Sequence, residues 1–451
     1  MRGAGFVGKV VGKSEVRRFT KTAAFEEVRL PGAKRPYVEA AWRIYDYMTS
    51  LPAMKTLVET GEPEQTYQHN AYVAKTHAAH ITSMLAWADM DEQNRKRAME
   101  FAKASAEYLL GELEPADAPL AFWPPTYGRK PLRFDPSKDG PEKRNAMKGN
   151  EPWAAVKYRG QVMLVYPARA GEAFIGYYKA TGDRRFLDAA IGIAKTYLKV
   201  RRADGTWPLK AILATGEPIG RNVLVPTSVM TFFEKLAEVD EKGGTGWRRE
   251  ADKCLNTLLE GPVRTMNWDG QFEDIKPKAP YMGLTKHNAL DTMLVLLRRY
   301  PNDAEKLRIA RELLRFSEDQ FVFWEAPCKP DEKVPAPGEG ARNTPPRTGG
   351  YGGYDYPSVF EQYSCYCAID SSASKLIRSY LAMYRVTHDQ LDLKKARALA
   401  NMITRMQKPS GRVPTFWTSS WASDERYDWL NCMESSAAAL LECAKVSGEL
   451  P

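Results

Sequence analysis

What most constrains this chain is a repeat: helical stretches arrive in pairs, and each pair ends in a similar turn. One unit runs from Gly171 to Lys210. An apolar helix over 173–180 reaches the turn Thr181-Gly182-Asp183, a second helix covers 186–200, and Asp204-Gly205-Thr206-Trp207-Pro208 closes the unit. The plan returns from Thr227, with a helix to Val239, another over 251–259, and Asn267-Trp268-Asp269-Gly270-Gln271-Phe272. It returns from Asn288, through Pro301-Asn302-Asp303 to Phe316, and again from Ser371, with a second helix over 394–406 and the turn Pro409-Ser410-Gly411-Arg412-Val413-Pro414. An earlier copy spans 67–113 and ends in Ala121-Phe122-Trp123-Pro124. Apolar residues at three- and four-residue spacing give each helix one face to bury, and an isolated hairpin has nowhere to bury it, so neighbouring hairpins must stack.

Five such hairpins leave two unpaired helices, one over 433–445 and one over 39–48. Pairing the two chain ends supplies a sixth hairpin and closes a ring. Closure hides the terminal apolar faces that an open solenoid caps with polar residues. Both end helices are amphipathic, which favours the ring over an open helical scaffold. Only brief extended pieces are expected, over 206–210, 271–275, 321–325 and 413–417, because nothing alternates long enough for a main sheet. The expected fold is therefore all-α: an (α/α)6 toroid of six helical hairpins with long loops on one face. It fills 37–451 as one domain behind an N-terminal extension over 1–36.

Composition narrows the function classes. Lys and Arg number 65 against 56 Asp and Glu, a formal charge of +9, and 43% of residues are hydrophobic. That apolar fraction supplies a substantial core and excludes a disordered chain. The cations are interspersed with acids, as in Asp183-Arg184-Arg185, with no basic-aromatic stripe. This argues against nucleic acid as a partner and for a mildly cationic surface that draws in an anionic substrate. No apolar run approaches the roughly 18 residues of a membrane span, so no membrane partner is expected. Residues 1–13 are basic and Gly-rich but lack the apolar stretch of a secretory signal. Six cysteines, with Cys365 and Cys367 too close for easy bridging, do not make a disulfide scaffold. Cytoplasm and periplasm both stay open for a soluble protein, as does homo-oligomerisation.

Helix pairs closed by Asp-Gly-x-Trp-type turns, here Asp204-Gly205-Thr206-Trp207 and Asp269-Gly270-Gln271-Phe272, resemble the six-hairpin (α/α)6 class of glycoside hydrolases and polysaccharide lyases. Within it the chain is most similar to the uronic-acid-active glucuronidases. The turn itself first of all marks a tight bend needing φ > 0. The resemblance implies a carbohydrate-active enzyme, with no cofactor and no resident metal.

Two long loops and one shorter segment break the repeat. The first, over 115–167, carries Phe122-Trp123 and Trp153 to Gln161. The second, over 326–357, holds seven Pro and six Gly in all and includes Tyr351 to Tyr356. The third, Phe416-Trp417-Thr418-Ser419-Ser420-Trp421, precedes the last helix. All three enter inner helices, so in a toroid they converge on one face. Aromatic and polar planar groups there suit a sugar, whose CH faces stack on rings. The candidate substrate-binding residues are Tyr158, Asn222, Asn288, Tyr354, Tyr363, Trp417 and Trp421. Arg159, Arg221 and Lys286 are candidate partners for a uronate carboxylate.

Hydrolysis of a glycosidic bond uses two carboxyl groups flanking it. Glu273, Asp274, Glu325, Asp291 and Glu361 are the candidates, and Glu325 beside Trp324 suits a proton-holding acid. Asp370, before Ser371-Ser372, reads as a helix N-cap. A rival chemistry, β-elimination or epimerisation, abstracts the proton α to the carboxylate with His or Tyr. Lys286-His287-Asn288 at a helix start would serve that purpose. His77 and His80, three apart, lack a third ligand at fixed spacing for a metal. The sequence thus points to a glycoside hydrolase acting on an acidic oligosaccharide or polysaccharide fragment, with a lyase as the alternative and a non-catalytic scaffold as the third reading.

Overall fold

A computed structural model describes residues 30–64, 72–90, 92–128, 158–268, 285–324, 356–361, 368–417 and 428–450. The first hairpin after the opening helices α1 (Tyr37–Ser50) and α2 (Pro52–Thr60) is α3 (Val73–Met90) with α4 (Arg95–Gly111). There follow α5 (Tyr166–Thr181) with α6 (Arg184–Lys199), and α7 (Thr227–Val239) with α8 (Gly244–Glu260) and the single turn α9 (Pro262–Thr265). The rest are α10 (His287–Arg299) with α11 (Ala304–Phe321), α12 (Asp370–Thr387) with α13 (Gln390–Met406), and α14 (Leu430–Val446).

Helices α3, α5, α7, α10, α12 and α14 each pack on the next, and α14 packs back on α3, so they form a closed inner ring. The second helix of each hairpin lies outside, and the sixth outer position is taken by α1 against α14. The chain ends are fastened there. Tyr37 Oη donates to Asn401 Oδ1 at 2.7 Å, Val38 N donates to Glu449 Oε2 at 3.0 Å, and Gln407 Nε2 donates to Ala40 O at 2.8 Å. Tyr45 of α1 stacks on Trp87 of α3, centroids 4.5 Å apart. This is the (α/α)6 toroid expected from the repeat, closed by its termini.

Local chemistry sets each hairpin turn. Gly182 (φ 74°) and His388 (φ 57°) end α5 and α12 in left-handed backbone, and Asp183, Asp303 and Asp389 cap the helices that follow by accepting from Arg185 N, Lys306 N and Leu391 N. In the closing turn, Asp204 Oδ1 accepts from Thr206 N (2.9 Å) and Thr206 Oγ1 (2.7 Å), while Gly205 supplies φ 82°. The tryptophans of these turns are plugs. Trp123 and Trp207 donate to the carbonyls of Ile193 and Tyr197 on α6, and both, like Trp268, are buried. Gly171 lets α5 approach α7 so closely that Phe232 occupies the place of its missing Cβ.

Extended structure is as brief as expected. Strand β1 (Gln161–Met163) pairs antiparallel with β2 (Lys210–Ile212), and β3 (Val322–Phe323) with β4 (Ser358–Val359). Phe416 makes one bridge to Ile369, and residues 271–275 lie outside the described residues. Among the described residues no helix is long and apolar enough to cross a membrane.

Candidate active site at the mouth of the toroid

Because up and down helices alternate, all six inner helices begin at one end of the toroid, and their positive N-terminal ends share that mouth. Cations stand in the first two turns of three of them: Lys75 on α3, Arg169 on α5 and Lys375 on α12. Lys286 immediately precedes α10. The fields of all four act on the His287 imidazole. These cations, from helices on opposite sides of the inner ring, therefore stand at one mouth.

His287, the first residue of α10, is half-buried. Burial foremost, then Lys286, Lys375, Arg169 and Lys75, holds its pKa well below the usual imidazole range. The neutral imidazole is therefore favoured. One turn on, Asp291 forms an ion pair with Lys375, their side chains 27% and 18% exposed. That pair leaves one carboxylate beside His287 on the mouth side of α10. Arg169 is exposed, and it forms no ion pair with another described residue.

Lys286 has a different role from the carboxylate partner expected for it. It is completely buried, and its ammonium donates to the carbonyls of Phe360 (2.7 Å) and Glu361 (2.9 Å). Burial pushes its pKa down to about 7, against a partial offset from Glu361. Lys286 thus straps the segment entering α12 to the start of α10, which sets half-buried Glu361 at the rim. Asn288 is also structural: its Oδ1 accepts from Thr227 Oγ1 at 2.6 Å, joining the first turns of α7 and α10.

Asp370 is corrected from cap to first helical residue, Ile369 being the N-cap. Its buried carboxyl accepts from Ser371 N (2.7 Å) and Ser436 Oγ (2.9 Å), bridging α12 to α14. Burial, with Asp428 nearby, raises its pKa well above the carboxylate range. Asp428 forms a buried ion pair with Arg412, and its Oδ1 accepts from Thr415 N.

A belt of aromatics lies along the same end. Trp429, Tyr72, Tyr127 and Tyr158 follow one another at centroid spacings of 5.1, 5.5 and 6.1 Å. Lys75 Nζ lies 4.7 Å from the Trp429 ring and Lys210 Nζ 4.2 Å from that of Tyr158. Tyr158, among the expected binding residues, is half-buried at the end of this belt. Arg159 donates through Nε to Gly128 O at 3.1 Å. Trp417 is fully buried in the core. Arg221 and Asn222 are exposed and line a separate cleft beside the start of α7.

Glu273, Asp274, Glu325, Tyr354, Tyr363 and Trp421 lie outside the described residues. Trp324, the expected neighbour of Glu325, donates through Nε1 to Glu318 Oε1 at 3.1 Å. Sequence reasoning missed Lys75, Arg169 and Lys375. A signal was present: a cation in the opening turns of a helix opposes the positive N-terminal end, so it needs a compensating reason to be there. Among the described residues no group of three His, Cys, Asp or Glu side chains is placed to hold a metal ion.

The chain matches no protein-family model and no curated protein sequence. Its structure is similar to a cellobiose 2-epimerase from Spirochaeta thermophila at 10% identity with a TM-score of 0.55, covering 91% of this chain and 98% of that one. It is similar to a family 76 α-mannanase from Bacteroides thetaiotaomicron at 12% identity and TM-score 0.55, covering 92% and 97%. A third likeness is to an unsaturated glucuronyl hydrolase specific for heparin, at 11% identity and TM-score 0.50, covering 90% and 98%. At such identities the likeness is one of fold, the (α/α)6 toroid.

Proposed function

We propose that this chain is a carbohydrate-active enzyme that hydrolyses an acidic, uronate-containing saccharide at the mouth of the toroid, in the manner of an exo-acting glucuronidase. The observation that carries the reading is the placement of Lys75, Arg169 and Lys375 in the opening turns of inner helices that begin at the same mouth as His287. Lys75 and Arg169, which form no ion pair with another described residue, favour a carboxylate at this mouth, and exposed Arg169 offers it a planar fork of donors. Half-buried Trp429 and Tyr158, at the two ends of the belt, add aromatic faces for a sugar ring, while Tyr72 and Tyr127 between them are buried. Asp291 and Glu361 stand at the same mouth as carboxyl groups for the acid and base roles that hydrolysis needs. Two of the enzymes of like fold are hydrolases by name, and one of them acts on glucuronyl groups.

A second reading rests on His287 itself. A neutral imidazole among cations that stabilise an enolate-like intermediate suits removal of the proton α to a uronate carboxylate. That step leads to β-elimination or epimerisation. Incubation with a panel of uronate-containing oligosaccharides separates the two. Hydrolysis releases saturated uronic acid, whereas elimination creates a C4–C5 double bond that absorbs in the ultraviolet. Absence of any product from every acidic saccharide overturns the proposal.

A further inference from the structure

A cavity of about 400 Å³ opens beside the mouth, near the low end of the size range of small-ligand sites. Two closing turns form its walls, Gly205 to Trp207 from the second hairpin, and Pro262 and Asn267 from the third. Its third wall is a segment that folds back along β2. Leu209 N donates to Asn222 O and Leu224 N to Trp207 O, both at 2.9 Å, and Pro208 bridges Val223. This ladder fixes the backbone of Arg221, Asn222 and Val223 while leaving all three exposed. The Arg221 guanidinium has no ion-pair partner among the described residues. Trp207 is held from behind, its Nε1 donating to Tyr197 O at 2.8 Å. The cleft thus presents the exposed Arg221 guanidinium, the Asn222 amide, and apolar walls from Val223 and Pro226.

Its position relates it to the mouth. Pro226 lines the cleft, and the next residue, Thr227, bonds to Asn288, which follows His287. Cleft and mouth therefore share the rim between α7 and α10. We propose that the cleft is a second saccharide subsite, in which Arg221 takes the carboxylate of a sugar unit removed from the bond cleaved at the mouth. This rests on the reading of the mouth as a saccharide site. It makes recognition depend on chain length and on the acidity of a distal sugar.

Calorimetric affinity and KM are compared for an acidic tetrasaccharide, its carboxyl-reduced form and an aryl glycoside of a single uronate, in the wild type, Arg221→Ala and Val223→Trp. Arg221→Ala should weaken the acidic tetrasaccharide about tenfold, as expected for one charge-assisted contact. The single-uronate glycoside should lose at least fivefold less. Val223→Trp, which fills an exposed position, should reproduce that length-dependent loss. The carboxyl-reduced tetrasaccharide should be insensitive to Arg221→Ala. Equal losses for short and long ligands, or no difference between them in the wild type, overturn the second subsite. Tetrasaccharide binding without turnover counts against the chemistry at the mouth alone, and the binding ratio still decides the cleft. Absence of binding by any acidic ligand overturns both.

Discussion

The histidines of α3 and α10, two helices of the inner ring, have opposite surroundings. His77 and His80 of α3 are sealed in the wedge where the chain ends meet. His80 bonds Glu434 of α14 within that wedge, and His77 packs against the ring of Tyr108, centroids 4.6 Å apart. His287 of α10 is half-buried at the mouth, where α3, α5 and α12 place cations in their opening turns. Both His77 and His287 are pushed toward the neutral form, chiefly by burial. A depressed pKa therefore does not separate a site from a core. Access and convergent charge do.

Four changes test that division, in order of expected effect. Glu434→Ala should cost about 3 kcal/mol of stability, because it leaves the His80 imidazole in a sealed wedge without its hydrogen-bond partner. Denaturant titration measures it. A loss under about 1 kcal/mol would mean the wedge admits water. His287→Ala should lower turnover of a uronate substrate about a hundredfold, with the unfolding midpoint held. A matching loss of stability would place His287 with the structural histidines. Gly411→Ala attacks the wedge from outside. Gly411 has φ 97°, and its missing Cβ would collide with the Arg43 carbonyl of α1. A destabilisation of about 2 kcal/mol is expected there.

The smallest effect belongs to His77, whose nitrogens both lack hydrogen-bond partners among the described residues. His77→Phe should be neutral or stabilise by about 1 kcal/mol at pH 7. Its pH dependence follows from linkage. A folded pKa below 6.5 contributes stability that is complete above about 6.5 and is lost as pH falls toward the depressed value. The wild type should therefore weaken on acidification from pH 7 to pH 5, and His77→Phe should weaken less. An identical slope in both would contradict the sealed environment assigned to His77. Asp370 has the opposite sign, since its raised pKa contributes most below about 3.8 and the contribution fades as pH rises.

The toroid was legible because its causes are local. Helical spacing, the Asp204-Gly205 turn and the Asp183, Asp303 and Asp389 caps each act within a few residues, and the unpaired end helices left closure as the way to bury their apolar faces. The mouth was less legible because its members are brought together only by the ring. Lys75 and Lys375 are 300 positions apart, and each alone looks like one more surface cation in a chain carrying 65. Lys286 was singled out by its place before a helix. Burial and two carbonyls direct it to a structural role instead. Phe416-Trp417 suggested a binding loop. Complete burial puts Trp417 in the core, where a large apolar side chain gains most. Arg221 and Asn222 were found by position beside a helix start, and what the sequence did not reveal was that they line a cleft of their own.

The central claim is that the mouth selects an anionic sugar by charge. It is tested most directly by the rate on a uronate glycoside relative to its methyl ester, measured for the wild type and Arg169→Gln across ionic strength. The account predicts a preference for the free acid of about a hundredfold that weakens with salt and falls to about tenfold or less in the variant. Equal rates on acid and ester in the wild type, or a preference that Arg169→Gln leaves intact, would contradict it.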